Sequence, residues 1–312
     1  MQAMGLEPSQ AQPMAYRKVR KRQGLEIQSP DSPNVIDTYR SQNLNLRSSS
    51  PVFKETGYDP SSSVYDMEYA ECTGSELDFW VGESKKFGFR VLEFAVGTGR
   101  IAIPLARHGF EVSGVDSSLN MLDQARAKKS LLPFTVQRRL KFKHGLMQDC
   151  RIDLVFDLAF VGFNSYLLLP DRDSRIDTLL NASAHVRPGG GIAVDVFAAV
   201  PLDTEPDHEE VEFLERDRAT GLRVTRERFY SHNSNHNRGQ STLVYRFYEN
   251  QVMVCERRLG YSLALVSRDD VVSEFSDAGL EIDGVYGSYD RVPWQPSSPN
   301  LIVVGRTTSV DT

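Results

Sequence analysis

Glu93, Gly97, Gly99 and Asp116 are the residues whose types and spacing point to chemistry. They fall in Val91-Leu92-Glu93-Phe94-Ala95-Val96-Gly97-Thr98-Gly99-Arg100 and in the segment after it. An apolar, β-prone run carries Glu93 near its end, two glycines flank Thr98, and Ile101, Ala102, Leu105 and Ala106 follow at helical spacing. Strand, glycine turn and helix in that order make a nucleotide-binding corner. The glycines let the backbone turn tightly and approach a ligand that a Cβ would exclude. Phe110–Val115 reads as a second strand ending at Asp116. A carboxylate there can accept two hydrogen bonds from a ribose diol, in dinucleotide and adenosyl sites alike.

The glycines alone fit two ligand classes. Gly97-Thr98-Gly99-Arg100-Ile101-Ala102 matches the dinucleotide pattern G-x-G-x-x-A, which works by offering helix N–H groups to a pyrophosphate. Glu93 would set a like charge beside that phosphate. A ligand with no phosphate but with an ammonium and a sulfonium has the opposite preference, and S-adenosylmethionine is such a ligand. Electrostatics favour the methyl donor; the dinucleotide, and a turn with no ligand, stay open on these residues. Ser117 or Ser118 can cap the next helix. Met121, on its first turn, either fills core or cushions an adenine ring.

The stretch VLEFAVGTGRIAIPLARHGFEVSGVDSSLNMLDQA resembles the first two motifs of class I S-adenosylmethionine-dependent methyltransferases. Phe156–Ser165 resembles the family's fourth strand and the loop that meets the methyl acceptor. Val186–Phe197, with Pro188-Gly189-Gly190, resembles its turn and fifth strand. These matches cover roughly residues 58 to 200. The subtype most similar is the small-molecule enzymes that include amino-sugar and glycine N-methyltransferases, through Tyr65-Asp66, Leu280–Asp290 and Ser298–Val304. The resemblance implies an α/β fold, a Rossmann-like doubly wound seven-stranded sheet whose last two strands are antiparallel at their end, with an inserted antiparallel β-sheet. It implies S-adenosylmethionine as cofactor, with Glu93 at the amino end and Asp116 on the ribose. Ala95, Gly97 and Gly99 would give close backbone approach, with Ser117 beside Asp116 and with Met121 and Met147 packing the adenine. On the substrate side it implies Tyr65, Asn164, Tyr166 and Tyr289, with no catalytic side chain and no metal ligand assigned. Methyl transfer to nitrogen or oxygen of a small molecule is the activity implied. A catalytically silent binding relative and an NAD-type oxidoreductase are the alternatives.

Two departures from the family pattern stand out. Ala95 replaces the first glycine of the usual E-x-G-x-G-x-G, a small enough change to keep close approach. Gly145-Leu146-Met147 stands where the subtype often has Gly-Asp-Met, so Leu146 offers no acceptor to the adenine amino group. Asp149, three residues on, is the candidate substitute. One lost net hydrogen bond costs roughly 0.5–1.5 kcal/mol.

The elements that position these residues divide 312 residues into four segments. Residues 1–57 are rich in Ser, Gln, Pro and Asn and read as a disordered tail, with Arg17–Arg22 as a solvated basic run. Residues 58–200 form the cofactor-binding unit. Residues 201–265 turn to consecutive strands, Val211–Arg216, Leu222–Tyr230, Thr242–Tyr248 and Val252–Leu265, an insertion expected to cover the site or to serve as a homodimer surface. Residues 266–312 complete the sheet, beginning with a helix capped by Ser267 and Asp270 and stopped at Gly279. His232 and His236 are four apart, but the Asn-rich composition between them is that of a turn, so no metal is expected. A net charge of −6 argues against a general nucleic-acid partner. No apolar run approaches ~18 residues, so no membrane span is expected. Three widely spaced cysteines suggest a reducing, cytoplasmic setting.

Overall fold

The computed structural model describes residues 52–56, 62–69, 71–197, 207–214, 221–233 and 237–308. Among them the chain opens with strand β1 (Val52–Thr56) and helix α1 (Ser62–Glu68). Helix and strand then alternate through α2 (Gly74–Phe87), β2 (Arg90–Phe94), α3 (Ala102–Arg107), β3 (Glu111–Asp116) and α4 (Leu119–Ser130). The short α5 (Phe134–Gln137), β4 (Leu140–His144), β5 (Phe156–Val161), a 3-10 turn at Ser165–Leu168, α6 (Arg172–His185) and β6 (Val186–Phe197) follow. Four consecutive strands come next, β7 (Asp207–Leu214), β8 (Arg223–Asn233), β9 (Arg238–Glu249) and β10 (Val252–Ala264). The chain closes with α7 (Arg268–Asp277), β11 (Leu280–Tyr286) and β12 (Asn300–Thr307).

The larger sheet has seven strands in the order β11-β12-β6-β5-β2-β3-β4. Strands β2 to β6 pair in parallel, and β12 runs antiparallel to both β6 and β11. Period-two alternation explains how it buries both faces. Leu92, Phe94, Ala159, Val161, Val194 and Val196 join one core with α6 and α7. Val91, Leu158, Phe160, Ala193, Ile302 and Val304 join the other with α2 and α3. Glu93 and Asp195 alternate with the first set and so belong to the α2–α3 side, where both are buried. Strand order reverses at β2, which pairs with β3 on one side and β5 on the other. The loops leaving β2 and β5 therefore diverge and open a crevice.

The second sheet has five strands, in the order β1-β10-β9-β8-β7. Its four C-terminal strands are antiparallel neighbours, as the hairpin-like spacing suggests. The fifth corrects the reading of residues 1–57, because Val52–Thr56 pairs in parallel with Glu256–Gly260 of β10. Five residues carry no period of their own; only the open edge of β10 supplies their backbone partners. The remaining tail residues, the Arg17–Arg22 run and His236 lie outside the described residues, and the backbone of His232 belongs to β8.

Helix α1 joins the two sheets. Glu68 pairs with Arg226 of β8 and accepts from the Tyr245 hydroxyl of β9, while Val64 packs with Val224, Leu243 and Tyr245. At the far end of the insertion, α7 starts as the sequence predicts. Ser267 Oγ accepts from Asp270 N at 3.1 Å and Asp270 Oδ2 accepts from Ser267 N at 2.8 Å, a complete capping box. No helix among the described residues is long and apolar enough to cross a membrane.

Candidate active site

A cavity of about 840 Å³ occupies the crevice between the C-terminal ends of the parallel strands and the five-stranded sheet. Its nucleotide-corner wall holds Ala95, Gly97, Asp116, Ser117 and Met121, and the loop after β4 adds Met147. Six of the eight residues expected around a cofactor thus share one cavity. Glu93 and Gly99 stand behind that wall.

The turn after β2 is shaped by backbone conformation. Gly97 has φ +54, and a Cβ there would project into open space. Gly99 has φ +82, but a Cβ there would meet Ile103 Cδ1 at 3.0 Å, so this glycine lets the turn pack on α3. Ala95 also takes a left-handed conformation, φ 52. The alanine is therefore more than a small residue in place of a small residue. Its Cβ costs about 1–2 kcal/mol in a region that glycine enters freely.

Asp116 is held as an acceptor. Its Oδ2 takes the Gly97 N–H at 2.7 Å and its Oδ1 takes the Ser118 N–H at 2.8 Å. Those two bonds tie the end of β3 to the glycine turn. Ser118, not Ser117, caps α4 by accepting from Met121 N at 3.0 Å, which leaves Ser117 in the cavity wall.

Behind the wall, three acids surround one guanidinium. Arg100 is bidentate with Glu76, with Nη1 to Oε2 at 2.9 Å, and its guanidinium stacks 3.9 Å from the Phe163 ring. Burial pushes the Glu93 carboxyl well above the usual carboxylate range against the pull of Arg100, and its Oε2 is buried without a hydrogen-bond partner. Burial also pushes Asp195 up to about 6, opposed by the Tyr289 hydroxyl that donates to it. Asp195 Oδ2 accepts from Tyr289 at 2.8 Å and from Phe163 N at 3.1 Å. Phe163 and Asn164 both have positive φ, 52 and 68. Asp195 holds that strained turn where Phe163 meets the cavity.

The four substrate-side expectations separate. Tyr65 lines the cavity, and burial raises its phenol above the ordinary range. Its neighbour Asp66 accepts from Thr98 Oγ1 at 2.6 Å and pairs with Lys128, latching α1 onto the glycine turn. Asn164 spends its side-chain oxygen on Phe197 N at 2.5 Å, which ties down its own loop and takes that oxygen from a substrate. Tyr166 is fully buried and donates to Glu274 Oε2 at 2.8 Å. Tyr289 donates to Asp195 and packs near Phe79.

Sequence reasoning missed the opposite wall. Arg238, Gln240, Tyr261 and Ser262 reach the cavity from β9 and β10. Strand alternation predicted which residues share a face of the insertion, but nothing in the sequence says that this face turns toward the cofactor unit. Gln148 was missed as well. It lines the cavity beside Leu146, whereas Asp149 is exposed outside it.

Residues 91–190 match the family described as "Methyltransferase domain". The chain therefore carries a methyltransferase domain. It is 25% identical over 257 residues to a cypemycin N-terminal methyltransferase of Streptomyces sp., covering 81% of this chain and 96% of that relative. Among solved structures, the methyltransferase resembles CcbJ from Streptomyces caelestis, with TM-score 0.67, 23% identity, and coverage of 80% and 97%. It also resembles CalS10, an amino pentose methyltransferase from Micromonospora echinaspora bound to S-adenosylmethionine, with TM-score 0.59, 17% identity, and coverage of 92% and 100%. Both show the same fold. In this methyltransferase the residues at the corner suit the cofactor: a glycine whose missing Cβ faces open space, a carboxylate fixed by two backbone N–H groups, and a buried acid with one oxygen lacking a hydrogen-bond partner.

Proposed function

We propose that this methyltransferase transfers a methyl group to the amine of a small molecule. One observation carries the reading. Glu76, Glu93 and Asp195 stand with Arg100 behind the cavity wall, and acids that burial holds toward the neutral form are eased into carboxylates by a cationic ligand, whereas a phosphate would push them further up.

Asp116 would hold the ribose diol, with Gly97 and Ala95 in close backbone contact and Ser117 alongside. Met121 and Met147 would pack the adenine. Glu93 would act on the amino end from behind the turn, giving its buried carboxylate a counter-charge. When bound, S-adenosylmethionine supplies a methyl group already activated on a sulfonium. The protein's share is then to align, enclose and desolvate, which is worth up to ~7–11 kcal/mol in favourable cases. Helix α1 closes one side of the site through Tyr65, with Asp66 holding it to Thr98. Phe163 and the Asp195-anchored turn close another.

The amine assignment rests on the walls. Among the described residues that line the cavity there is no histidine, and Asp116 is committed to the corner. An amine arriving unprotonated needs no general base, whereas a hydroxyl or phenol usually gains from one. The Streptomyces relative is named for an N-terminal methylation, which points the same way. Release of S-adenosylhomocysteine, measured across matched amines and phenols, tests the reading. Amines are expected to turn over; turnover confined to phenols overturns it.

Leu146 gives a separate test of the corner. It lines the cavity and is 51% exposed, so a polar side chain there meets no packing cost. Leu146→Asp is expected to tighten S-adenosylhomocysteine binding about 2- to 10-fold, the value of roughly one net hydrogen bond. Calorimetry measures it, and an unchanged affinity would mean that Gln148 already supplies the adenine contact.

A further inference from the structure

Among the described residues, no acidic side chain hydrogen-bonds the guanidinium on the sheet-side wall of the cavity. Arg238 Nε donates to Ser262 Oγ at 2.7 Å, and Nη2 donates to Ser262 O at 3.0 Å. Nη1 donates to Leu169 O at 2.9 Å and to Pro170 O at 2.7 Å. A guanidinium has five N–H groups; these four bonds go to neutral oxygens and leave one N–H on Nη2. Gln240, one turn of the strand pleat away, donates to Ser262 Oγ at 2.9 Å and keeps its amide oxygen and second N–H at the exposed cavity edge.

The neighbouring charges do not cancel Arg238. Arg175 adds a like charge, and its own partner is Glu274 at 2.7 Å. Asp171 is the opposing charge that acts on Arg238, but its Oδ1 is occupied in capping α6 through Ser174 N at 2.8 Å. The cavity is therefore polarised, with buried acids behind the cofactor corner and a cation across from them. Neutral hydrogen bonds fix the position of this guanidinium without discharging it, so an incoming anion meets a preorganised site with no side chain to displace.

We infer that the methyl acceptor carries an anionic group, a carboxylate or a phosphate, that docks on Arg238 with Gln240 and Ser262 while its amine faces the cofactor corner. This rests on the amine-methyltransferase reading above. It narrows the substrate class to amines bearing an anion, such as amino acids or phosphorylated amino sugars.

Two measurements test it. In the first, initial rates of S-adenosylhomocysteine release are compared for phenylalanine against phenylalaninamide and for glucosamine 6-phosphate against glucosamine. The anionic member of at least one pair is expected to show a kcat/KM at least tenfold higher, through KM, and which pair responds separates carboxylate from phosphate. Arg238→Gln should erase that preference, and Arg238→Lys should keep part of it. The second needs no turnover and no cofactor. Acetate and inorganic phosphate are titrated against thermal unfolding of the full chain at constant ionic strength. One of them is expected to raise the melting temperature of the wild type and to do so less for Gln240→Ala, a variant that leaves the Arg238 bonds to Leu169 and Pro170 intact. If neither anion stabilises the protein and neither pair discriminates, the inference fails. Failure of S-adenosylhomocysteine to bind the wild type in calorimetry would instead overturn the methyltransferase reading, while the anion titration would still judge the wall.

Discussion

Replacing Asp116 by alanine is expected to raise the dissociation constant of S-adenosylhomocysteine by about two to three decades. The carboxylate stands in the cavity wall with each oxygen fixed by a backbone N–H, from Gly97 and from Ser118. A fixed acceptor loses little entropy when a diol binds it, so its hydrogen bonds are worth more than those of a mobile side chain. Bonds to a charged acceptor contribute roughly 1.5–3 kcal/mol each, and losing two of them, partly replaced by water, gives about 3–4 kcal/mol. At 1.4 kcal/mol per decade this is the stated range. Alanine also removes the acceptor for the Gly97 N–H, which loosens the turn at the residue whose open side faces the ligand. Asp116→Asn keeps the shape and one acceptor oxygen, so a loss of about tenfold is expected. Calorimetry at pH 7.5, with a melting curve to show that the variant is folded, measures both. An affinity within fivefold of wild type in the alanine variant would remove Asp116 from the ribose.

The largest expected loss of stability lies elsewhere. Glu274 on α7 is fully buried, accepts from Arg175 Nε at 2.9 Å and Nη2 at 2.7 Å, and takes the Tyr166 hydroxyl at 2.8 Å. Two neighbouring elements converge on one carboxylate that lies about a hundred residues further along the chain. Glu274→Ala leaves the Arg175 charge buried and unpaired, which costs about 3–5 kcal/mol. Against a total stability of roughly 5–15 kcal/mol, the urea midpoint should fall by about a fifth or more. Tyr166→Phe removes a hydrogen bond to a charged group and should cost about 1.5–3 kcal/mol, while S-adenosylhomocysteine binding and acceptor KM stay as in the wild type. A Tyr166→Phe variant with normal stability and a much raised KM would return that tyrosine to the substrate.

Tyr166 and Asn164 show why the substrate side was harder to read than the cofactor side. Both sit in the loop after β5, in the stretch that resembles the acceptor-binding loop. Their neighbours Phe163 and Ser165 line the cavity instead. Two consecutive left-handed residues reverse the chain direction within that loop. No composition rule fixes which of four adjacent side chains then points outward. The cofactor corner is different, because strand parity and the glycine turn are local properties. Ser267 and Asp270 make the same point, since a capping box depends on residues three apart and appears as expected. Val52–Thr56 lies at the other extreme, a strand created by the edge of another strand some two hundred residues away.

The sequence by itself determined the alternation of strand and helix, the glycine turn after β2, the carboxylate at the end of β3 and the capped start of α7. Each follows from backbone preferences and periodicity within a few residues. The tertiary structure alone decided that Arg238 and Gln240 face the cofactor corner, that Tyr65 does so among the four tyrosine and asparagine candidates, and that Glu93 stands behind the wall. Those outcomes depend on how the five-stranded sheet is docked, through Glu68 to Arg226 and Tyr245 on one side and Asp66 to Thr98 on the other. Partners that lie 32 to 177 residues apart are chosen by packing after the local elements exist, and local spacing carries no record of that choice.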